Sequence, residues 1–173
     1  TDVMRRKLND LDINGEVVKG EGELDNAPMH YKGEKLGSGN GPEIDIAVDP
    51  VEGTNFVAKN LPGSMSVLAV AEKGKLLNAP ETYMEKIATG SHIPKGCIDI
   101  DFTVEKNINI YSDITNKKNS EITVCILNRP RHSKIISELK RLNVNIKLIT
   151  DGDVSGALLA VSYTHLRAHE TGR

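Results

Sequence analysis

The sequence predicts a mixed α/β (α+β) fold, and three observations carry that prediction. An alternating stretch, IDIAVD (44–49), sets Ile44, Ile46 and Val48 against Asp45, Ala47 and Asp49, the period-two pattern of a half-buried strand. Residues 122–161 then read strand, helix, strand, helix: ITVCIL, the apolar stripe Ile135, Ile136, Leu139 and Leu142, NIKLIT, and the small-residue run VSGALLAV. At 173 residues the chain is also long enough to bury a real core.

The elements follow in order. Val3, Met4, Leu8 and Leu11 recur at helical spacing, so the chain is expected to open on the end of an amphipathic helix. GEVVKGEGELD (15–25) reads as strand-like, and KLGSGNGPE (35–43) as a connecting loop. Its glycines do not complete a dinucleotide-binding fingerprint followed by a helix. Pro50 is expected to end the IDIAVD strand. A hairpin is expected in SMSVLAVAEKGKLLNAP (64–80), turning at Lys73 and Gly74. Residues 90–119 are polar and show no regular element.

Composition excludes several classes of function. The formal net charge is −2 with both signs interspersed, so no basic face for nucleic acid exists. Aromatic residues are 3% of the chain with no Trp, which argues against a platform for stacking single strands. No apolar run approaches the ~20 residues that span a bilayer, and no signal peptide opens the sequence. A cytoplasmic protein is expected, without nucleic acid or membrane partners. Cys97 and Cys125 lack C-x-x-C spacing and read as reduced, buried thiols.

Four clusters could carry chemistry. In DPVEGT (49–54), Asp49 lies at a strand end, and Pro50 is expected to fix a turn that brings Glu52 alongside it. Two rigidly presented carboxylates suit a hard divalent cation such as Mg²⁺ or Mn²⁺. Gly53 permits close backbone approach to a phosphate oxygen, and the Thr54 hydroxyl can orient water. Glu21, between two glycines in GEGELD, is the natural further carboxylate for a centre that clamps a phosphoryl group. Arg129 and Arg131 flank Pro130 before a helix, an arrangement that suits a phosphate held rather than cleaved. Asp151 and Asp153 follow the next strand, on the same sheet edge in parallel geometry, and could accept bonds from sugar hydroxyls. Asp153 can equally cap the helix that begins there.

Strand-DPVEGT-NF resembles the metal-binding signature of the lithium-sensitive phosphatase superfamily, with Glu52 standing where many members have Asp. GEGELDNAPM, GEKLGSGNGPEIDIAVDPVEGT, LLNAPETYMEKIATG, NRPRH and ITDGDVSGA together resemble class II fructose-1,6-bisphosphatase, from Thr1 to about Ala160. The resemblance implies a layered sugar-phosphatase fold, incomplete here. It makes Glu21 a ligand of one metal, and Asp49 and Glu52 ligands of another. Glu52, Gly53 and Thr54 would border the scissile phosphate, and Tyr83 would contact substrate. Arg129, Pro130 and Arg131 would line a second phosphate, and Asp151, Gly152 and Asp153 the sugar. The implied reaction is hydrolysis of fructose 1,6-bisphosphate to fructose 6-phosphate in gluconeogenesis, with Mn²⁺ or Mg²⁺ and a small-molecule sugar bisphosphate as partner.

Family members are longer at both ends and carry further metal-binding carboxylates there. The expectation is therefore a partial bisphosphatase domain over residues 1–161, weakly active or inactive alone, and a homo-oligomer when full length. SYTHLRAHETGR (162–173) resembles a translated sequencing-adapter tail, so His165 and His169 are not read as metal ligands. Two alternatives stand beside this reading. One is an inositol- or nucleotide-phosphate phosphatase of the same superfamily, and the other a non-catalytic sugar-phosphate-binding module.

Overall fold

A computed structural model describes residues 2–20, 30–77 and 83–161, which gather into two compact units. The first comprises residues 1–52 and 64–83, the second 53–63 and 84 onward. Both units combine a sheet with helices, which bears out the expected α/β class.

The first unit is a four-stranded sheet with one helix. Its elements are α1 (Asp2–Asn9), β1 (Asn14–Lys19), β2 (Lys35–Leu36), β3 (Glu43–Glu52) and β4 (Met65–Glu72). The strand order is β2-β1-β3-β4, with β1 parallel to β3 and the other pairings antiparallel. Leu8, Val17, Leu36, Ile46 and Val48 form the core, and Met4, Ile13 and Ile44 pack against it. The opening helix is thus present, but its apolar stripe is narrower than expected, because Val3 and Leu11 face water.

β4 pairs antiparallel with β3 rather than with the chain that follows it. A turn does fall after β4 at Lys73 and Gly74, where Gly74 has φ +77°. The physical reason is Asp45. Its buried carboxylate accepts the Gly74 N–H at 2.7 Å and the Leu76 N–H at 3.4 Å, which holds residues 74–76 out of a strand. The rest of the expected second arm, 78–80, lies outside the described residues. Of the stretch read as a connecting loop, 35–43, Lys35–Leu36 instead form β2 and Glu43 begins β3, while the residues between them are a connector. Ser38 donates to Asp12 Oδ1 at 2.7 Å, and Gly39 N–H donates to the Ile13 carbonyl at 2.9 Å.

Glu16 on β1 links β2 and the turn after β4 at the water-facing surface, since Lys35 and Lys73 approach it at 2.7 and 2.5 Å. Those two ammonium groups lower its pKa from 4.5 to about 2. A depressed folded-state pKa stabilises the protein above the unfolded value, and that contribution is lost as pH falls through the folded one. Glu16→Gln is therefore expected to lower the urea midpoint slightly at pH 7. The difference from the unaltered chain should shrink between pH 4.5 and about 2. A midpoint difference that stays constant over this window would contradict the assignment.

The second unit contains α2 (Thr54–Ala58), α3 (Val104–Thr115), β5 (Thr123–Leu127), α4 (Ser133–Arg141), β6 (Asn145–Ile149) and α5 (Asp153–Val161). β5 and β6 are parallel and in register from Thr123↔Asn145 to Leu127↔Ile149, as the strand–helix–strand–helix pattern implies. One sheet face, with Val124 and Ile146, packs against Ile108 of α3 and Leu139 of α4. The opposite face, with Cys125 and Ile149, takes α5 at Gly156. A Cβ there would lie 2.9 Å from Ile149 Cδ1 and 3.5 Å from Cys125 Sγ. Cys97 and Cys125 are free thiols as expected, though both are half-buried rather than buried, and burial raises the pKa of Cys125.

α3 lies inside the stretch that showed no regular element in the sequence. Thr103 caps it by accepting the Lys106 N–H at 3.1 Å, and Ile108 is buried against α4 while Val104 and Tyr111 flank it. In α4, Leu139 is buried, but Ile135 at the start of the expected stripe is exposed.

Candidate functional site

Within the first unit, the far end of β3 carries Asp49 and Glu52. Pro50 does not end the strand. β3 runs on through it to Glu52, because the backbone bulges instead of turning. Asp49 pairs with Val67 and Glu52 with Met65, so three residue steps on β3 oppose two on β4. One extra residue reverses the usual alternation. Asp49 and Glu52, an odd number of residues apart, thereby come to the same face, opposite the face that carries Val48 into the core. The bulge is held by its own hydrogen bonds: Val51 N–H to Asp49 Oδ1 (3.0 Å), Ser66 Oγ to the Pro50 carbonyl (2.7 Å) and Ser64 Oγ to the Glu52 carbonyl (2.9 Å). Proline suits this position because it has no N–H to leave unpaired.

β1 runs parallel to β3 and ends at Lys19, so residue 20 leaves from the sheet edge toward which β3 also runs. Glu21 lies outside the described residues. Gly20 packs so tightly against the His30 carbonyl that a side chain there has no room. Tyr83, assigned to substrate contact by resemblance, is exposed.

Within the second unit, two motifs distant in sequence come together. Gly53, at φ +79°, begins α2, and Gly152, at φ +75°, ends the turn after β6. A Cβ on Gly53 would lie 3.7 Å from the Gly152 Cα. The Phe56 ring lies beneath both, because a Cβ on either glycine would approach it to 2.7 Å. Across this junction Asn55 N–H donates to Asp151 Oδ2 at 2.9 Å, joining residues 96 positions apart. The other carboxylate oxygen, Oδ1, stands 3.6 Å from Arg129 Nη2. Thr54 is exposed at the head of α2.

Arg129 follows β5 as Asp151 follows β6, and parallel pairing puts both at the same edge, as expected. Asn128 N–H donates to the Ile149 carbonyl at 2.8 Å, and His132 Nδ1 lies 2.8 Å from the Leu127 carbonyl. Pro130 opens a short 3₁₀ turn, Pro130–His132, and Arg131 is exposed within it. Asp153 begins α5 and pairs with Lys86 at 2.5 Å.

The structure thus brings together Gly53, Thr54, Arg129 and the Asp151–Asp153 turn, and sets Asp49 and Glu52 on one face of β3. Asn55, Phe56 and Lys86 were missed from sequence. For the first two, the only signal was their position directly after DPVEGT. Among the described residues no three His, Cys, Asp or Glu side chains gather as a metal-holding group. Asp49 and Glu52 are hard oxygen donors of the type Mg²⁺ and Mn²⁺ take.

The carboxylate pair at the end of β3, the glycine at the start of α2 and the arginine after β5 all lie on the motifs that carried the phosphatase resemblance. The family model described as bacterial fructose-1,6-bisphosphatase, glpX-encoded, matches residues 1–167, and the chain belongs to that family. It is 45% identical over 171 residues to a D-fructose 1,6-bisphosphatase class 2/sedoheptulose 1,7-bisphosphatase of Synechococcus sp. (strain JA-2-3B'a(2-13)), covering 92% of this chain and 49% of the relative. It is 46% identical over 156 residues to fructose-1,6-bisphosphatase 1 class 2 of Escherichia coli (strain K12), covering 90% of this chain and 46% of the relative. The chain therefore spans about half the length of the curated relatives it matches. Among the described residues no helix is long and apolar enough to cross a membrane.

Proposed function

We propose that the protein to which this chain belongs hydrolyses the 1-phosphate of fructose 1,6-bisphosphate. The observation that carries the reading is the junction of the DPVEGT and DGD motifs through Asn55 and Asp151, in a chain of this family. Glu21 would hold one Mn²⁺ or Mg²⁺, and Asp49 and Glu52 another. Such a cation supplies charge neutralisation at the phosphoryl group and a more acidic water. Glu52, Gly53 and Thr54 border the scissile phosphate, and the Thr54 hydroxyl orients the attacking water. Arg129 and Arg131, spaced by Pro130, hold the second phosphate. Tyr83 and the Asp151–Gly152–Asp153 turn border the sugar. Water adds its oxygen to the 1-phosphorus, the bond from phosphorus to the C1 oxygen breaks, and that oxygen takes a proton. The products are inorganic phosphate and fructose 6-phosphate. A cytoplasmic setting, a role in gluconeogenesis and a homo-oligomeric whole protein accompany this reading.

Phosphate release by the purified chain tests it. Slow release from fructose 1,6-bisphosphate is expected, dependent on Mn²⁺ and lower still from inositol 1-phosphate. Faster release from inositol 1-phosphate would overturn the substrate assignment and favour the inositol-phosphatase alternative.

A further inference from the structure

We propose that Ser66 is a positioning residue for the Asp49 carboxylate, acting on it through the Pro50–Val51 peptide group. This deepens the reading of Asp49 as a cation ligand given above, on which it rests. Asp49 pairs with Val67 and Glu52 with Met65, so Pro50 and Val51 together stand opposite Ser66 alone. The ladder is broken there, and side chains hold the backbone in its place. Ser66 Oγ donates to the Pro50 carbonyl at 2.7 Å, and the Val51 N–H donates to Asp49 Oδ1 at 3.0 Å. That carbonyl and that N–H are the two poles of one planar peptide unit. In a trans peptide they point in opposite directions.

The faces of the sheet agree with this arrangement. Val48 pairs with Leu68, and residues two apart on a strand share a face, so Ser66 lies on the side that carries Val48 into the core. Asp49 lies on the other side. The peptide unit therefore stands across the strand, gripped by a hydroxyl on one face and by a carboxylate on the other. A rotation of its plane would turn the Asp49 carboxylate with it. With Oδ1 tied to the Val51 N–H, the direction of Oδ2 is set as well. Ser64 steadies the far end of the bulge by donating to the Glu52 carbonyl at 2.9 Å. Ser66 is the only hydroxyl-bearing residue of β4, and all its neighbours there before Glu72 are apolar. It shapes the carboxylate pair from the opposite face, without joining the pair as a ligand.

Losing an outer hydrogen bond that orients a metal ligand weakens metal binding about 10–100-fold. Ser66→Ala is accordingly expected to weaken Mn²⁺ binding about tenfold, read by electron paramagnetic resonance of free Mn²⁺. In the metal-free chain, the Val51 amide of that variant should exchange its hydrogen faster. Ser66→Thr and Ser66→Val form a second pair, of nearly equal shape and both favoured in strands, for use where the alanine variant folds poorly. The threonine keeps the hydroxyl and should keep both the Mn²⁺ affinity and the Val51 protection. The valine lacks it and should lose both. Gly74→Ala separates positioning from stability, because it strains the turn after β4 in the same unit without touching the bulge. It should lower the urea midpoint and leave Mn²⁺ affinity unchanged.

Unchanged Mn²⁺ affinity in Ser66→Ala and Ser66→Val would overturn the proposal, as would equal losses in the threonine and valine variants. A Val51 amide equally protected without the hydroxyl would overturn it too, and so would a matching loss of Mn²⁺ in Gly74→Ala. If the unaltered chain bound no Mn²⁺, the cation reading of Asp49 would fail. The Val51 amide would then still decide whether Ser66 orients the peptide.

Discussion

Replacing Gly152 with alanine is expected to destabilise the second unit by roughly 2–4 kcal/mol, from a left-handed backbone penalty plus overpacking. The backbone there has φ +75°, and the new methyl carbon would lie 2.7 Å from the Phe56 ring and 2.6 Å from Ser155 Oγ. Phe56 is buried and cannot swing aside without disturbing Gly53 as well. Gly74→Ala is the matched comparison. It shares a φ of +77° but has nothing within 4 Å of the added atom, so only the backbone penalty of about 1–2 kcal/mol applies. Urea denaturation of the two variants should separate them. Equal losses would show that the Gly53–Phe56–Gly152 junction is loosely packed.

The second large effect concerns the two carboxylates on the bulged end of β3. Asp49→Asn and Glu52→Gln are each expected to weaken Mn²⁺ binding by at least about 100-fold, since even second-sphere changes at metal sites cost 10–100-fold. Electron paramagnetic resonance of free Mn²⁺ measures this directly. Glu43→Gln, at the opposite end of the same strand, removes the same charge and should leave the affinity within a few-fold. Loss in all three variants alike would indicate a general charge effect. Loss in Glu52→Gln alone would remove Asp49 from the set.

The sequence made the two parallel strands and the helix between them legible because their periodicities are local and unmixed. The α1 region was legible for the same reason. Elsewhere the local signal pointed the wrong way. Proline after a strand usually marks its end, yet at Pro50 the strand absorbs the residue as a bulge, and only the pairing with β4 discloses that. Asp45 read as the polar side of an alternating strand, but the Gly74 and Leu76 amides cover it, and neither is visible from position 45. α3 is a different case. Thr103, Val104, Ile108 and Tyr111 did carry a capped helical period, and the surrounding polar residues obscured it. The candidate site was readable as separate motifs. What joins two of them is one hydrogen bond spanning 96 positions and a phenylalanine packed against two glycines, and no window along the chain contains both sides of that contact.

These residues are proposed to recognise a bisphosphorylated sugar with help from a divalent cation. Calorimetric titration of the chain with fructose 1,6-bisphosphate and with inositol 1-phosphate, each with and without Mn²⁺, tests it most directly. The expected result is tighter binding of the sugar bisphosphate that depends on Mn²⁺ and disappears in Glu52→Gln. Binding that ignores Mn²⁺, or a preference for inositol 1-phosphate, would contradict it.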